Sequence, residues 1–252
     1  MAHDPVHIGK NTCANCAIRH RAVCGALNDE ELAELGRIGR VRHFKAGDII
    51  LADEEATTFF ANIISGVIKL EKSSADGRQQ IVGLVFAPDF LGRAFSKSNP
   101  YFAQAATDVE ACTFPNTGFE QLLKKHPDLE HRLFENTLNE LDSAREWMFV
   151  LGRKSAQEKV ASFLYLIAKR QPLIGCSHAE HNPLGPHAAN FELPLTRADI
   201  ADFLGLTIET VSRQLSNLKR QGTIRLLSGR EVLVPDLRQL QSIAGASDEA
   251  VA

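Results

Sequence analysis

The chain has 252 residues, 44% of them hydrophobic, and a formal net charge of −3. That length holds one large domain or two smaller ones with packed cores, and no apolar run reaches the ~18 residues of a membrane span. The amino terminus has no apolar stretch behind its few charges, so a secreted protein is not expected and the chain is expected to be cytoplasmic. Its five cysteines are then reduced thiols, which suit metal or redox chemistry more than a disulfide framework. A near-neutral total says nothing about nucleic acid, which needs only a local basic surface.

Residues 1–12 are polar. Cys13 and Cys16 then enclose Ala14 and Asn15, and Cys24 follows, a C-x2-C-x7-C run with Cys112 as a distant fourth candidate. Spacing alone leaves three readings open. A cubane [4Fe–4S] cluster is often held by a close triplet and one remote ligand. A four-cysteine zinc site usually has two C-x2-C pairs, and only one is present. The thiols could also be unrelated. Arg19, His20 and Arg21 lie between the second and third cysteines; they either offset thiolate charge or form a solvated basic turn. The spacing of Leu32, Leu35 and Ile38 predicts a helix over 29–38 with those three facing inward.

From 41 to 114 short apolar runs alternate with turns at 45–48, 63–66, 76–77 and 87–89. A period of two places Ile64, Gly66, Ile68 and Leu70 on one face, with Val67, Lys69 and Glu71 on the other. Strands at such regular spacing predict a β-roll or jelly roll. Cys112 falls on a predicted strand over 110–114, where on its own it reads as a small buried residue. His43 is a haem ligand by residue type only, since a lone strand histidine is usually structural. A cupin-type enzyme would need a His/Glu metal set on facing strands, and His43 stands alone, so no enzyme is expected.

A short helix is predicted over 119–126, stopped by Pro127, and a long one over 128–152. On the long helix Leu138, Leu141, Ala144, Met148 and Leu151 form a near-heptad stripe, which either packs on its own roll or pairs with a second copy. Arg145 and Glu146 beside it would make that seam marginal. Gly152 reads as a hinge, and Ser155 with Glu158 as the start of another helix that buries Val160, Phe163, Leu164 and Ile167. Residues 171–194 carry four prolines and read as a loop. Its Cys176, His178, His181 and His187 match no standard ligand spacing.

Residues 195–222 read as two short helices and a tight turn. Thr196 and Asp199 have capping-box spacing, so a helix starts at Arg197, with Ile200, Ala201 and Leu204 inward. Gly205 breaks it and Thr207 caps the next, in which Ile208, Val211, Leu215 and Leu218 point inward. Glu209, Thr210, Ser212, Arg213 and Asn217 point out and suit base edges in a DNA major groove. Residues 223–227 and 231–234 flank 228–230 as a β-hairpin wing. Seven basic residues (Arg197, Arg213, Lys219, Arg220, Arg225, Arg230, Arg238) face five acidic ones here. A last short helix is predicted over 236–243.

Ile208 to Arg213, IETVSR, resembles the recognition helix of the CRP/FNR family of bacterial transcription regulators, and its Glu-x-x-Ser-Arg pattern resembles the FNR branch, including its FnrL-like group. The resemblance covers roughly 13–243. It implies an α+β fold: a cluster-binding arm (1–25), a jelly-roll sensory domain of the cyclic-nucleotide-binding type (26–127), a dimerisation helix (128–152), a winged helix-turn-helix (153–243) and a disordered tail (244–252). It implies that Glu209, Ser212 and Arg213 read a TTGAT half-site, with Thr207, Thr210 and Arg197 as further DNA-contact candidates. It also implies that Cys13, Cys16, Cys24 and Cys112 hold a [4Fe–4S] cluster. Here the sequence departs from the best-known pattern, since the third cysteine comes later and Ala17 follows Cys16. The expected regulator is a homodimer on a palindromic promoter site when the cluster is intact, with 73–80 a candidate contact for RNA polymerase. The rival is a CRP-like protein answering a cyclic nucleotide or haem ligand, its cysteines binding zinc or nothing. Against the nucleotide, the stretches 90–93 and 102–105 lack the glutamate and the phosphate-binding arginine of such members.

Overall fold

The structure is a computed structural model describing residues 6–7, 13, 15–56, 58–96, 98–170 and 187–245. Cys176, His178 and His181 lie outside the described residues. The chain divides into two compact units, Met1–Glu140 and Leu141–Ala252.

The first unit is the expected roll of antiparallel strands. One sheet has the order β1-β2-β9-β4-β7, formed by Val6–His7 (β1), Arg40–Phe44 (β2), Val109–Pro115 (β9), Phe59–Ser65 (β4) and Phe90–Leu91 (β7). The other has the order β3-β8-β5-β6, formed by Ile49–Leu51 (β3), Phe102–Ala105 (β8), Val67–Ser73 (β5) and Gln79–Phe86 (β6). Ile63, Ile68, Val85, Leu91, Ala103 and Ala111 are buried together in the core. The alternation predicted across 64–70 is not one strand. Gly66 stands at φ +87° between β4 and β5, and a Cβ there would come within 2.2 Å of the Asp108 carbonyl oxygen. That turn resets the register, so Val67 is buried beside Ile68.

Helix α1 spans Asp29–Ile38, as its apolar period predicts, and buries Leu32 and Leu35. Asn28 caps it: its Oδ1 accepts from the amides of Glu30 and Glu31 at 3.0 Å, and its own amide donates to Glu31 Oε2 at 3.0 Å. Helix α2 runs Asn116–Lys125, starting three residues earlier than expected. Asn116, Thr117 and Gly118 read as a turn in isolation. Gly118 is instead helical and admits Ile38, whose Cδ1 would lie 3.2 Å from a Cβ there. Behind the roll, Phe60, Phe114 and Phe119 pack with Val23, Leu27, Leu32 and Leu35. Each such side chain removed from water contributes about 1.5–3 kcal/mol.

The long helix α3, Pro127–Arg153, begins in the first unit and ends in the second. The second unit then carries α4 (Ala156–Arg170), β10 (Ala189–Glu192), α5 (Arg197–Leu204), α6 (Ile208–Arg220), β11 (Arg225–Leu226), β12 (Glu231–Val234) and α7 (Leu237–Ala244). Ser155 and Glu158 form the expected box at the start of α4, each amide donating to the other's side chain. The wing strands pair as expected, but the sheet is three-stranded, in the order β10-β12-β11. β10 corrects the loop expected over 171–194. Only Phe191 of its four side chains is buried, so the strand leaves little periodicity to read. Helix α7 includes Ala244, which shortens the expected tail by one residue. Among the described residues no helix is long and apolar enough to cross a membrane.

Candidate metal centre and nucleic-acid interface

Cys13, Cys16, Cys24 and Cys112 line one small pocket, partly open to solvent, together with Ile18, Leu32, Leu35, Asn62 and Phe114. Turns bring the first three there. The Cys16 amide donates to the Cys13 carbonyl at 3.4 Å, and the Arg19 amide to the Cys16 carbonyl at 3.1 Å. Ile18, Ala22 and Val23 are buried and anchor this arm. Cys24 sits in a single 3-10 turn, Val23–Ala26. Cys112 comes from the middle of β9, paired with Val41 on one side and Asn62 on the other. All four thiols are free and half-buried.

Burial dominates their electrostatics. It pushes the Cys24 thiol up to about 12, helped by repulsion from Cys16 and Cys13, while Arg19 pulls weakly the other way. The Cys112 thiol is raised by burial first, then by Cys13, Cys24 and Cys16. Cys13 is raised by burial and Cys16 against the pull of Arg19. Cys112 therefore feels the other three sulfurs across the pocket. A group bound there must displace their protons, which couples its assembly to pH. Arg19 meets both expectations in part: it bears on the thiols, and it also pairs with Asp29 at 2.8 Å.

The donor set is soft and its surroundings are apolar, apart from Asn62. Among the described residues no three His, Cys, Asp or Glu side chains form a group suited to a single metal ion. Four cysteine sulfurs on one pocket wall are, by donor type, the set that a four-cysteine [4Fe–4S] cluster takes. Asn62, only 1% exposed, was not singled out by the sequence reading. The available signal is an amide inside the apolar run FFANII. His43, by contrast, is exposed on β2.

The nucleic-acid candidates lie on α5 and α6. Thr196 and Asp199 exchange capping bonds at 3.1 Å, fixing the start of α5 at Arg197. Gly205 takes the left-handed conformation that ends α5, and the Thr207 hydroxyl accepts the Thr210 amide at 3.2 Å to start α6. Val211, Leu215 and Leu218 are buried as expected, and Phe203 of α5 packs on Trp147 with ring centroids 4.6 Å apart. Ile208 is not buried: it is 48% exposed. As the first residue of α6 it lies beyond the turn that carries the packed face. Glu209 and Arg213 are exposed, and Thr210, Ser212 and Arg197 half-buried. Its own backbone amide, and then the Thr207 side chain, hold the Glu209 carboxyl below the usual carboxylate range, so it is an ionised acceptor. Arg213 Nη2 donates to Thr210 Oγ1 at 3.4 Å, which aims the guanidinium along the same face. Asn217, expected outward, is half-buried and donates to Gln214.

A strand roll followed by a long helix and a winged helix-turn-helix defines a DNA-binding regulator that carries a sensory domain. Residues 41–126 match the cyclic nucleotide-binding domain, and residues 158–243 the Crp-like helix-turn-helix domain. The chain is 48% identical over 234 residues to a probable transcriptional activator of Rhizobium leguminosarum bv. viciae, covering 93% of each. It is 44% identical to the transcriptional activator protein FnrL of Cereibacter sphaeroides, covering 92% of each. Among solved structures it is similar to FixK2 from Bradyrhizobium japonicum, with a TM-score of 0.72 and 27% identity over 83% of this chain and 99% of that one. The chain belongs to the CRP/FNR family of transcription regulators, and it is a regulator and not an enzyme.

Proposed function

We propose that this protein is an oxygen-responsive transcriptional regulator of the FNR type, acting in the cytoplasm to activate or repress anaerobic genes. The carrying observation is that four cysteines, three from an amino-terminal arm and one from β9, line a single cavity. Cys13, Cys16, Cys24 and Cys112 would hold a [4Fe–4S] cluster, which supplies an oxygen-labile link between that arm and the roll. The 44% identity to the transcriptional activator protein FnrL supports the same branch.

DNA recognition falls to α6. Arg213 can clamp a guanine with two hydrogen bonds, Glu209 can accept from a cytosine amino group, and Ser212 lies on the same face. Thr207 and Thr210 flank them, and Arg197 stands at the start of α5, suited to phosphate. The bases are those of TTGAT-like half-sites in a palindrome, which demands a two-fold protein.

The second copy docks along α3. Leu138 and Leu141 are each 44% exposed there and Met148 is 72% exposed. Ala144 is exposed as well, and Leu151 is half-covered within its own chain. Arg145 is turned aside into an ion pair with Asp142 at 2.9 Å. Pairing makes the second half-site contact effectively intramolecular, so a change in dimer strength is a large change in occupancy. The exposed β5–β6 hairpin at 73–80 would contact RNA polymerase. The test is operator binding by anaerobically purified protein before and after air: occupancy should fall with the cluster's visible absorbance. Equal occupancy in the two states would reject the oxygen response.

A further inference from the structure

Among the described residues Asn62 is the one polar side chain, besides the thiols, on the wall of the cysteine pocket. It lies in β4 between Ala61 and Ile63, both buried, where an apolar residue would pack as well. Its register partner on β9 is Cys112, and neighbours in a ladder present side chains to the same face. Its Nδ2 stands 3.9 Å from Cys24 Sγ, the amide's one hydrogen-bond partner among the described residues, and among them its buried Oδ1 has none. The other buried amide, Asn99, donates to the Ala52 carbonyl, and buried Thr113 to the Arg40 carbonyl, so those are spent on the fold itself. A buried oxygen left unpaired is destabilising, because its desolvation is not compensated. Asn62 carries that cost while its N–H is aimed at a sulfur.

We infer that Asn62 is a positioning residue for the cluster: its amide N–H donates to the Cys24 thiolate and so sets the cluster's reduction potential. This rests on the cluster assignment above. A donor on a ligating sulfur withdraws electron density and favours the reduced cluster; hydrogen bonds to the sulfurs are among the determinants of such potentials. An apolar residue of the same size would keep the packing and lose that effect.

The experiment compares anaerobic wild-type protein with Asn62→Leu. Iron and sulfide content of the wild type comes first: their absence would overturn the cluster assignment and this role with it, whereas a loaded wild type leaves the role of Asn62 as the only question. With the cluster present in both, the Leu variant should show a more negative midpoint potential and a shifted Fe–S(Cys) stretching band in resonance Raman. A fully loaded variant with both unchanged would overturn the inference. A second measurement keeps Asn62 itself in place. With asparagine labelled by ¹⁵N in an Asn15→Gln background, the reduced cluster should show hyperfine coupling to one asparagine nitrogen. No coupling would overturn it equally.

Discussion

Cys24 and Cys112 face one cavity although they come from unlike places, a 3-10 turn of the amino-terminal arm and the middle of a strand in the roll. A group bound to both ties the arm to the roll, and its loss unties them. Cys24→Ala removes one proposed ligand of the triplet. The variant should fold, because the roll core lies elsewhere, but lack visible absorbance and specific operator binding after anaerobic purification. Specific binding without absorbance would mean that another signal controls the protein.

Arg213 is an exposed base-reading candidate whose partner within the chain is a hydroxyl, so its truncation leaves no buried charge behind. Arg213→Ala should cost roughly 1–3 kcal/mol of binding and relax selection at one base pair of each half-site. Competition against single-base operator variants checks this. A uniform loss across all sequences would reassign Arg213 to phosphate.

Met148 is the most exposed of the large apolar side chains on α3. Met148→Asp puts a charge on the proposed seam, where burial without a partner is costly. Sedimentation of the anaerobic protein should move from dimer to monomer with iron content unchanged. A variant that stays dimeric would place the seam elsewhere.

Glu34 of α1 accepts from Lys125 Nζ at 2.6 Å and lies 3.1 Å from His126 Nε2, fastening α1 to the end of α2. Those bonds hold its carboxyl below the usual carboxylate range. A depressed carboxylate contributes stability above its unfolded value, about 4.3, and that stability is lost as pH falls through the lower folded value. Glu34→Gln should therefore lower the urea midpoint at neutral pH and approach the wild type in acid. A gap that does not change with pH would point to packing instead of charge.

Most of the architecture was legible because local chemistry and global packing agree. The box at Thr196 and Asp199, the cap at Thr207 and the inward Leu32 and Leu35 each announce their element within a few residues. Failures occur where the deciding contact is distant. Asn116–Lys125 begins early because Ile38 fills the space beside Gly118, which no local pattern reveals. β10 is held by its partner β12 with only Phe191 buried. Ile208 fits the helical period and is exposed because the period says nothing about where packing stops. The cysteine quartet was legible as residue type and spacing, while Asn62 emerges only when β4 is laid beside β9.

The most direct measurement is the Mössbauer and visible spectrum of anaerobically purified protein, taken before and after air alongside operator binding on the same sample. Four iron atoms per chain in a [4Fe–4S] signature, lost in air together with operator binding, is the predicted result. Zinc or no metal in oxygen-free protein that fully occupies its operator would contradict the account.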